Sequence, residues 1–133
     1  MNPTPSTSRT SGFRLSWLDA VILIAGTVLS WWLQSQSFPL WWIVPAAIGH
    51  FFLFCNVFLV WRRLELLWAI AFVLNVAAHV FFDEWDPWPS LLWQSPVTLA
   101  VIAWQMRSPW YHGIFARQIN ARLADYISDK LHP

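Results

Sequence analysis

The sequence predicts an all-α integral membrane protein, a four-transmembrane-helix bundle with a C-terminal amphipathic helix on the cytoplasmic face. Three observations carry that prediction. The 133 residues are 57% hydrophobic and 11% charged, against roughly 25% charged in soluble domains. Four apolar runs, residues 17–33, 40–60, 64–82 and 91–106, approach or reach the length that crosses hydrocarbon. All eight Lys and Arg lie outside those runs. Only four crossings put Arg9, Arg14, Arg62, Arg63, Arg107, Arg117, Arg122 and Lys130 on one side, which the positive-inside rule makes the cytoplasm. A multi-pass protein of a bacterial inner membrane or a plasma membrane follows, with both termini cytoplasmic.

Residues 1–16 open with Pro, Ser and Thr and have almost nothing apolar to bury, so a disordered cytoplasmic tail is expected. The first span has a basic flank, which also suits a signal peptide. Its long core, the terminal Trp31-Trp32 pair and the lack of a small-residue cleavage site favour a retained helix. Asp19 lies in the first turn, where a carboxylate complements the helix dipole.

Pro39 is placed to start the second span. Pro45, one turn further in, is expected to free the Trp41 carbonyl and bend the helix. Ala46, Ala47 and Gly49 offer a small-residue surface for close helix approach. No Gly or Pro separates the second span from the third. The break at Trp61-Arg62-Arg63 is forced by length, because residues 40–82 as one helix would run about 65 Å, twice the hydrocarbon thickness.

The third span carries the polar pattern around which the chain is organised. Glu65, Trp68, Asn75, His79, Asp83 and Asp86 share one helical face, with Phe72 in the gap. A polar stripe in hydrocarbon must face protein, water or a cofactor. Counting outward from Arg62, His50 lies twelve residues up the second span and Asn75 thirteen up the third. Interhelical hydrogen bonds are therefore expected between His50 and Asn75, between Asn56 and Trp68, and from His79 to the Trp41 carbonyl. Glu65, Arg62 and Arg63 are expected at the cytoplasmic interface.

Residues 83–90, DEWDPWPS, read as an outer loop. The fourth span is the shortest and contains Gln94, Ser95 and Pro96. Tryptophans mark both interfaces: Trp31, Trp32, Trp41, Trp42, Trp85, Trp88 and Trp93 outside, and Trp17, Trp61, Trp104 and Trp110 inside, with Trp68 deeper. Ser108-Pro109 suit a helix start. Residues 109–131 then place Tyr111, Phe115, Ile119, Leu123, Tyr126 and Ile127 on one face of an interfacial helix suited to lipid or to a partner protein.

The sequence favours no catalytic chemistry. One cysteine, Cys55, excludes an internal disulfide and cysteine-rich zinc sites. Activated nucleophile, HExxH and phosphate-loop patterns are absent from the sequence, and no basic cluster is dense enough for nucleic acid. No catalytic residue and no metal ligand set is assigned. His50 and His79 are the intramembrane residues able to hold haem. Their levels differ by five residues, about 7.5 Å of helix rise, which argues against one haem shared between them. His79 with Asp83 and Asp86 could relay protons or hold a divalent cation.

The expected role is therefore a non-catalytic accessory, assembly or stabilising subunit that contacts the lipid bilayer and other membrane proteins or itself. The alternatives are a haem- or proton-handling subunit of a membrane redox complex, and a small homodimeric transporter using Asp19 or Glu65.

Overall fold

The structure, a computed structural model, describes residues 11–128 and Lys130. Every regular element among them is helical. Residues 1–10 of the predicted tail, and the last residues of the predicted C-terminal helix, lie outside the described residues.

α1, Trp17–Ser35, starts at a capping box. The Ser16 hydroxyl accepts from Leu18 N, and Ser16 N donates to the Asp19 carboxylate at 2.7 Å. Asp19 is thus a cap, as its first-turn position predicted. Gly26 is where α1 approaches the next helix most closely: a Cβ there would collide with the Ile48 side chain. The predicted small-residue contact therefore has its glycine on α1. Gly49 faces open space, while Ala46 and Ala47 pack against the core.

α2, Ile43–Phe52, begins three residues later than predicted and ends in a π-helical turn, Leu53–Val57. The late start changes the role of Pro45. It falls in the first turn, where its missing N–H has no helical acceptor to lose, so it does not bend an established helix. The Trp41 carbonyl accepts from Ser30 Oγ of α1 at 3.3 Å, not from His79.

α3, Arg62–Phe81, follows an extended break at Trp61. α3 ends in a Schellman turn: Asp83 is left-handed at φ 60°, Asp83 N donates to Val80 O, and Glu84 N donates to His79 O at 2.8 Å.

α4, Pro87–Met106, starts four residues before the predicted fourth span. The residues assigned to a loop are its cap. Asp86 Oδ1 accepts from Trp88 N, and Pro87 occupies the first helical position, where a missing N–H costs nothing. At 20 residues the helix is about 30 Å long.

α1 packs on α2, and α3 on α4. The core that joins them is aromatic. Trp42, Phe54, Trp68, Phe72 and Val101 are buried together. Trp68 stacks on Phe72 at 5.0 Å, and Phe54 meets it edge-on at 5.4 Å. Trp42, expected in the outer tryptophan belt, is instead a core ring meeting Phe72 edge-on. Trp17, Trp31, Trp32, Trp88, Trp93 and Trp104 are exposed.

Two helices, α1 and α3, are long and apolar enough to cross a membrane. The Ile43–Val57 segment is apolar and shorter. α4 has the length, but its sequence is diluted by Ser90, Gln94, Ser95, Thr98 and Gln105.

The tail departs from the predicted single amphipathic helix. It forms two short helices, α5 (Ala116–Ile119) and α6 (Leu123–Ile127). The chain folds back because Phe115 is left-handed at φ 59° and Asn120 is extended. Asn120 Nδ2 donates to the carbonyls of Pro109 and Tyr111, at 2.8 Å each. The predicted apolar face divides accordingly. Tyr111, Leu123 and Tyr126 are buried, while Phe115, Ile119 and Ile127 are exposed.

Candidate functional site

Two regions gather the polar residues: a junction at the end of the π turn, and a groove between α3 and α4.

The junction arises from the geometry of the π turn. A wider helical turn leaves carbonyls without their usual i+4 donors, and here other segments supply those donors. Asn56 O accepts from Arg14 N at 3.0 Å, and Val57 O from Ile114 N at 2.9 Å. Leu59, left-handed at φ 45°, has its carbonyl bound by Gln105 Nε2 at 3.0 Å, and Gln105 Oε1 accepts from Trp61 N at 3.3 Å. Gln105 is 2% exposed. It pairs both backbone groups that the break between α2 and α3 would otherwise leave bare.

The tail and the N-terminal segment close over this junction. Gly12 N donates to His112 O, and His112 stacks on Tyr126 at 4.7 Å. Gly12 and Arg14 of the N-terminal segment are thus tied to the junction by backbone hydrogen bonds, while the side chains of residues 13–16 stay exposed. Tyr111 is fully buried and donates to Ile114 O at 2.8 Å. Burial pushes its phenol pKa up, which retains the donating proton.

Asn56 belongs to this junction rather than to Trp68. It is buried, and its amide donates to Arg14 O at 3.0 Å and to Asp19 Oδ2 at 3.1 Å. Glu65 accepts from Cys55 Sγ at 3.6 Å. Arg63 lies over the Trp61 ring at 4.9 Å, and Arg62 borders a cavity of about 330 Å³ with Gln105, His112 and Tyr126.

The groove is built from two facing stripes. Trp68, Phe72, Asn75 and His79 come from α3, and Ser90, Gln94, Thr98 and Gln105 from α4. Asn75 Nδ2 donates to Ser90 O at 2.7 Å and to Gln94 Oε1 at 3.3 Å. Trp68 Nε1 donates to Thr98 Oγ1 at 2.8 Å. Gln94, 2% exposed, returns its Nε2 to Trp68 O at 3.4 Å.

The predicted hydrogen bonds to α2 therefore do not form, because the Asn75 amide and the Trp68 indole N–H are turned toward α4, while the Trp68 ring faces His50 and Phe54. The residue count from Arg62 also misjudged level: His50, expected beside Asn75, stacks on Trp68 instead, because the π turn and the extended break shift α2 relative to α3. The α4 stripe went unrecognised, although Ser90, Gln94 and Thr98 at i+4 steps, with Gln105 on the same side, are the signal that marks it.

His50 and His79 both bond within their own helices. His50 Nδ1 lies 2.8 Å from Ala46 O, and His79 Nδ1 lies 2.9 Å from Asn75 O. A carbonyl partner fixes Nδ1 as the donor and leaves Nε2 as the lone-pair nitrogen of the neutral ring. His50 is stacked on Trp68 at 4.5 Å. His79 instead lines a cavity of about 600 Å³ between α3 and α4, with Asn75, Glu84, Trp93 and Gln94.

Asp83 and Asp86, predicted to join His79, are engaged elsewhere. Asp83 accepts from Trp85 Nε1 at 2.6 Å, and Asp86 caps α4. Among the described residues no group of three or more His, Cys, Asp or Glu converges to hold a metal. The chain matches no protein-family model, no curated protein and no solved structure, so its function is argued from these side chains alone.

Proposed function

We propose that the protein is a four-span membrane protein with both termini in the cytoplasm, acting as a non-catalytic assembly or stabilising subunit of a membrane complex. One observation carries this reading. Several polar side chains of the helices are used inside the bundle, as in Asn75–Gln94, Trp68–Thr98 and Gln105 on the Leu59–Trp61 break, and much of the helix exterior is apolar, suited to lipid and neighbouring helices. Exposed Leu18, Ile22, Val28 and Leu29 on α1, and Leu67, Ile70 and Leu74 on α3, supply that exterior. Interhelical hydrogen bonds in lipid contribute about 0.6 kcal/mol each on average, enough collectively to fix helix rotation.

Native mass spectrometry of protein released gently from its own membrane tests this. Additional polypeptides in fixed ratio are expected. A bare monomer, or a homodimer with no added mass, would contradict a stable complex.

A second reading, a haem- or proton-handling subunit, is favoured by one feature, the Nε2 lone pair of His79 beside the groove. A backbone carbonyl on Nδ1 is the usual orienting partner of a ligating histidine. A visible absorption band lost in His79→Ala and kept in His50→Ala would establish it. Unchanged spectra with weakened assembly return the role to structure.

A further inference from the structure

We propose that the α3–α4 groove holds the primary-ammonium headgroup of a bilayer phospholipid, with its acyl chains lying along the α3 and α4 surfaces. The inference rests on the four-span reading, which puts this end of the helices at the outer headgroup level.

The chemistry of the lining selects the headgroup. Glu84 supplies a carboxylate. His79 supplies Nε2 as an acceptor, because its Nδ1 is directed to Asn75 O. Asn75 supplies Oδ1, because both contacts of its amide to α4 are made through Nδ2. Neither the Glu84 carboxylate nor His79 Nε2 has a hydrogen-bond partner among the described residues. Three acceptors in one cavity match the three N–H donors of a primary ammonium.

No Lys or Arg lines the cavity, so an anionic headgroup would meet a carboxylate with no compensating cation. Trp93, exposed on the rim, offers an indole N–H at the level where such rings reach phosphodiesters. At about 600 Å³ the space is within the range of small-ligand sites, and Ala71, Ala78 and Val97 give it an apolar floor.

The main chains that carry Glu84 and His79 are held together by backbone geometry. The Schellman turn ties Glu84 N to His79 O, fixing the main chain of one acceptor residue to that of the other. Asp83 completes the turn and is itself held by Trp85.

The test is lipid retention by the full chain in nanodiscs of equimolar phosphatidylethanolamine and phosphatidylcholine, read by native mass spectrometry. One phosphatidylethanolamine per chain is expected, enriched several-fold over the trimethylated lipid, which has no N–H to donate. Glu84→Gln should bring that enrichment down to near the bulk ratio, because the charge-assisted hydrogen bond that selects the ammonium is lost. His79→Phe should reduce it as well, with the helix content of both variants unchanged by circular dichroism.

Retention in the bulk ratio, or enrichment unaffected by Glu84→Gln, would overturn the proposal. So would preferential retention of phosphatidylglycerol when it replaces phosphatidylethanolamine, or displacement of phosphatidylethanolamine by a stoichiometric alkylammonium. Labelling of Glu84→Cys on a Cys55→Ser background with an impermeant maleimide reads the topology separately. Absence of labelling in intact cells would contradict four spans, while the lipid ratio decides the headgroup in either case.

Discussion

Replacing Gln105 by Leu is expected to have the largest effect of any single substitution in this chain. The side chain is nearly isosteric and apolar, so packing is conserved while two hydrogen bonds are lost. Leu59 O and Trp61 N would remain in place with no side chain to pair them. A buried unpaired backbone group costs about 1–3 kcal/mol, so upward of about 2 kcal/mol is expected for the two together. Thermal unfolding in detergent should shift down by several degrees. Gln105→Glu should not rescue the site, since an ionised carboxylate cannot donate to Leu59 O and its charge would be buried there.

Gly113→Ala is expected to be nearly as severe and to act on the same junction from the other side. The added Cβ would stand 2.7 Å from Phe58 O and 2.8 Å from both Phe58 C and the Tyr111 hydroxyl. Two of those neighbours are backbone and cannot swing aside. The tail must therefore move away, breaking the 2.9 Å bond from Ile114 N to Val57 O. Overpacking of this kind costs about 1–3 kcal/mol. Limited trypsin digestion reads the result directly, because Arg117 and Arg122 lie in the displaced lobe. Cleavage there should accelerate several-fold relative to the unsubstituted chain, while the helices stay intact. Equal cleavage rates would mean that the tail is not held by this contact.

Both predictions concern the junction, which is the part of the fold that the sequence conceals most. Its carbonyls are freed by a π turn, and nothing in Leu53–Val57 distinguishes a π turn from continued α-helix. Its donors come from residues 12–14, 105 and 114, far apart in the chain. The tail's apolar periodicity was real, yet the Asn120 bonds back to Pro109 O and Tyr111 O, and the close fit of Gly113 against Phe58, accompany its folding into two short helices, and periodicity cannot report such contacts. Local chemistry was more legible. The capping role of Asp19 follows from a short-range rule, and the break at Trp61 from helix length set against hydrocarbon thickness. Asp86-Pro87 obeyed short-range capping rules too but was hidden by neighbouring Pro89 and by the density of charged residues. In the groove, the stripe on α3 was readable from spacing, whereas its partner was not. Choosing between α2 and α4 needed the rotation of α3, and that is set by the packing of Trp68 and Phe72 against Phe54 and Val101.

A polar stripe at i+4 steps on a membrane-length helix calls for a second stripe facing it. When two candidates lie at the same depth, the helix carrying the longer stripe is the better partner. His50 offers one polar group on α2, whereas α4 offers four.

The central claim is that four helices cross the membrane and return the tail to the side of the N-terminal segment that it contacts. Single cysteines at Ser37 and Ser128, introduced on a Cys55→Ser background, test it most directly when probed with a membrane-impermeant maleimide in intact and permeabilised cells. The account predicts labelling of Ser37→Cys in intact cells and of Ser128→Cys only after permeabilisation. Labelling of both positions in intact cells would place the tail outside and contradict the four-span arrangement.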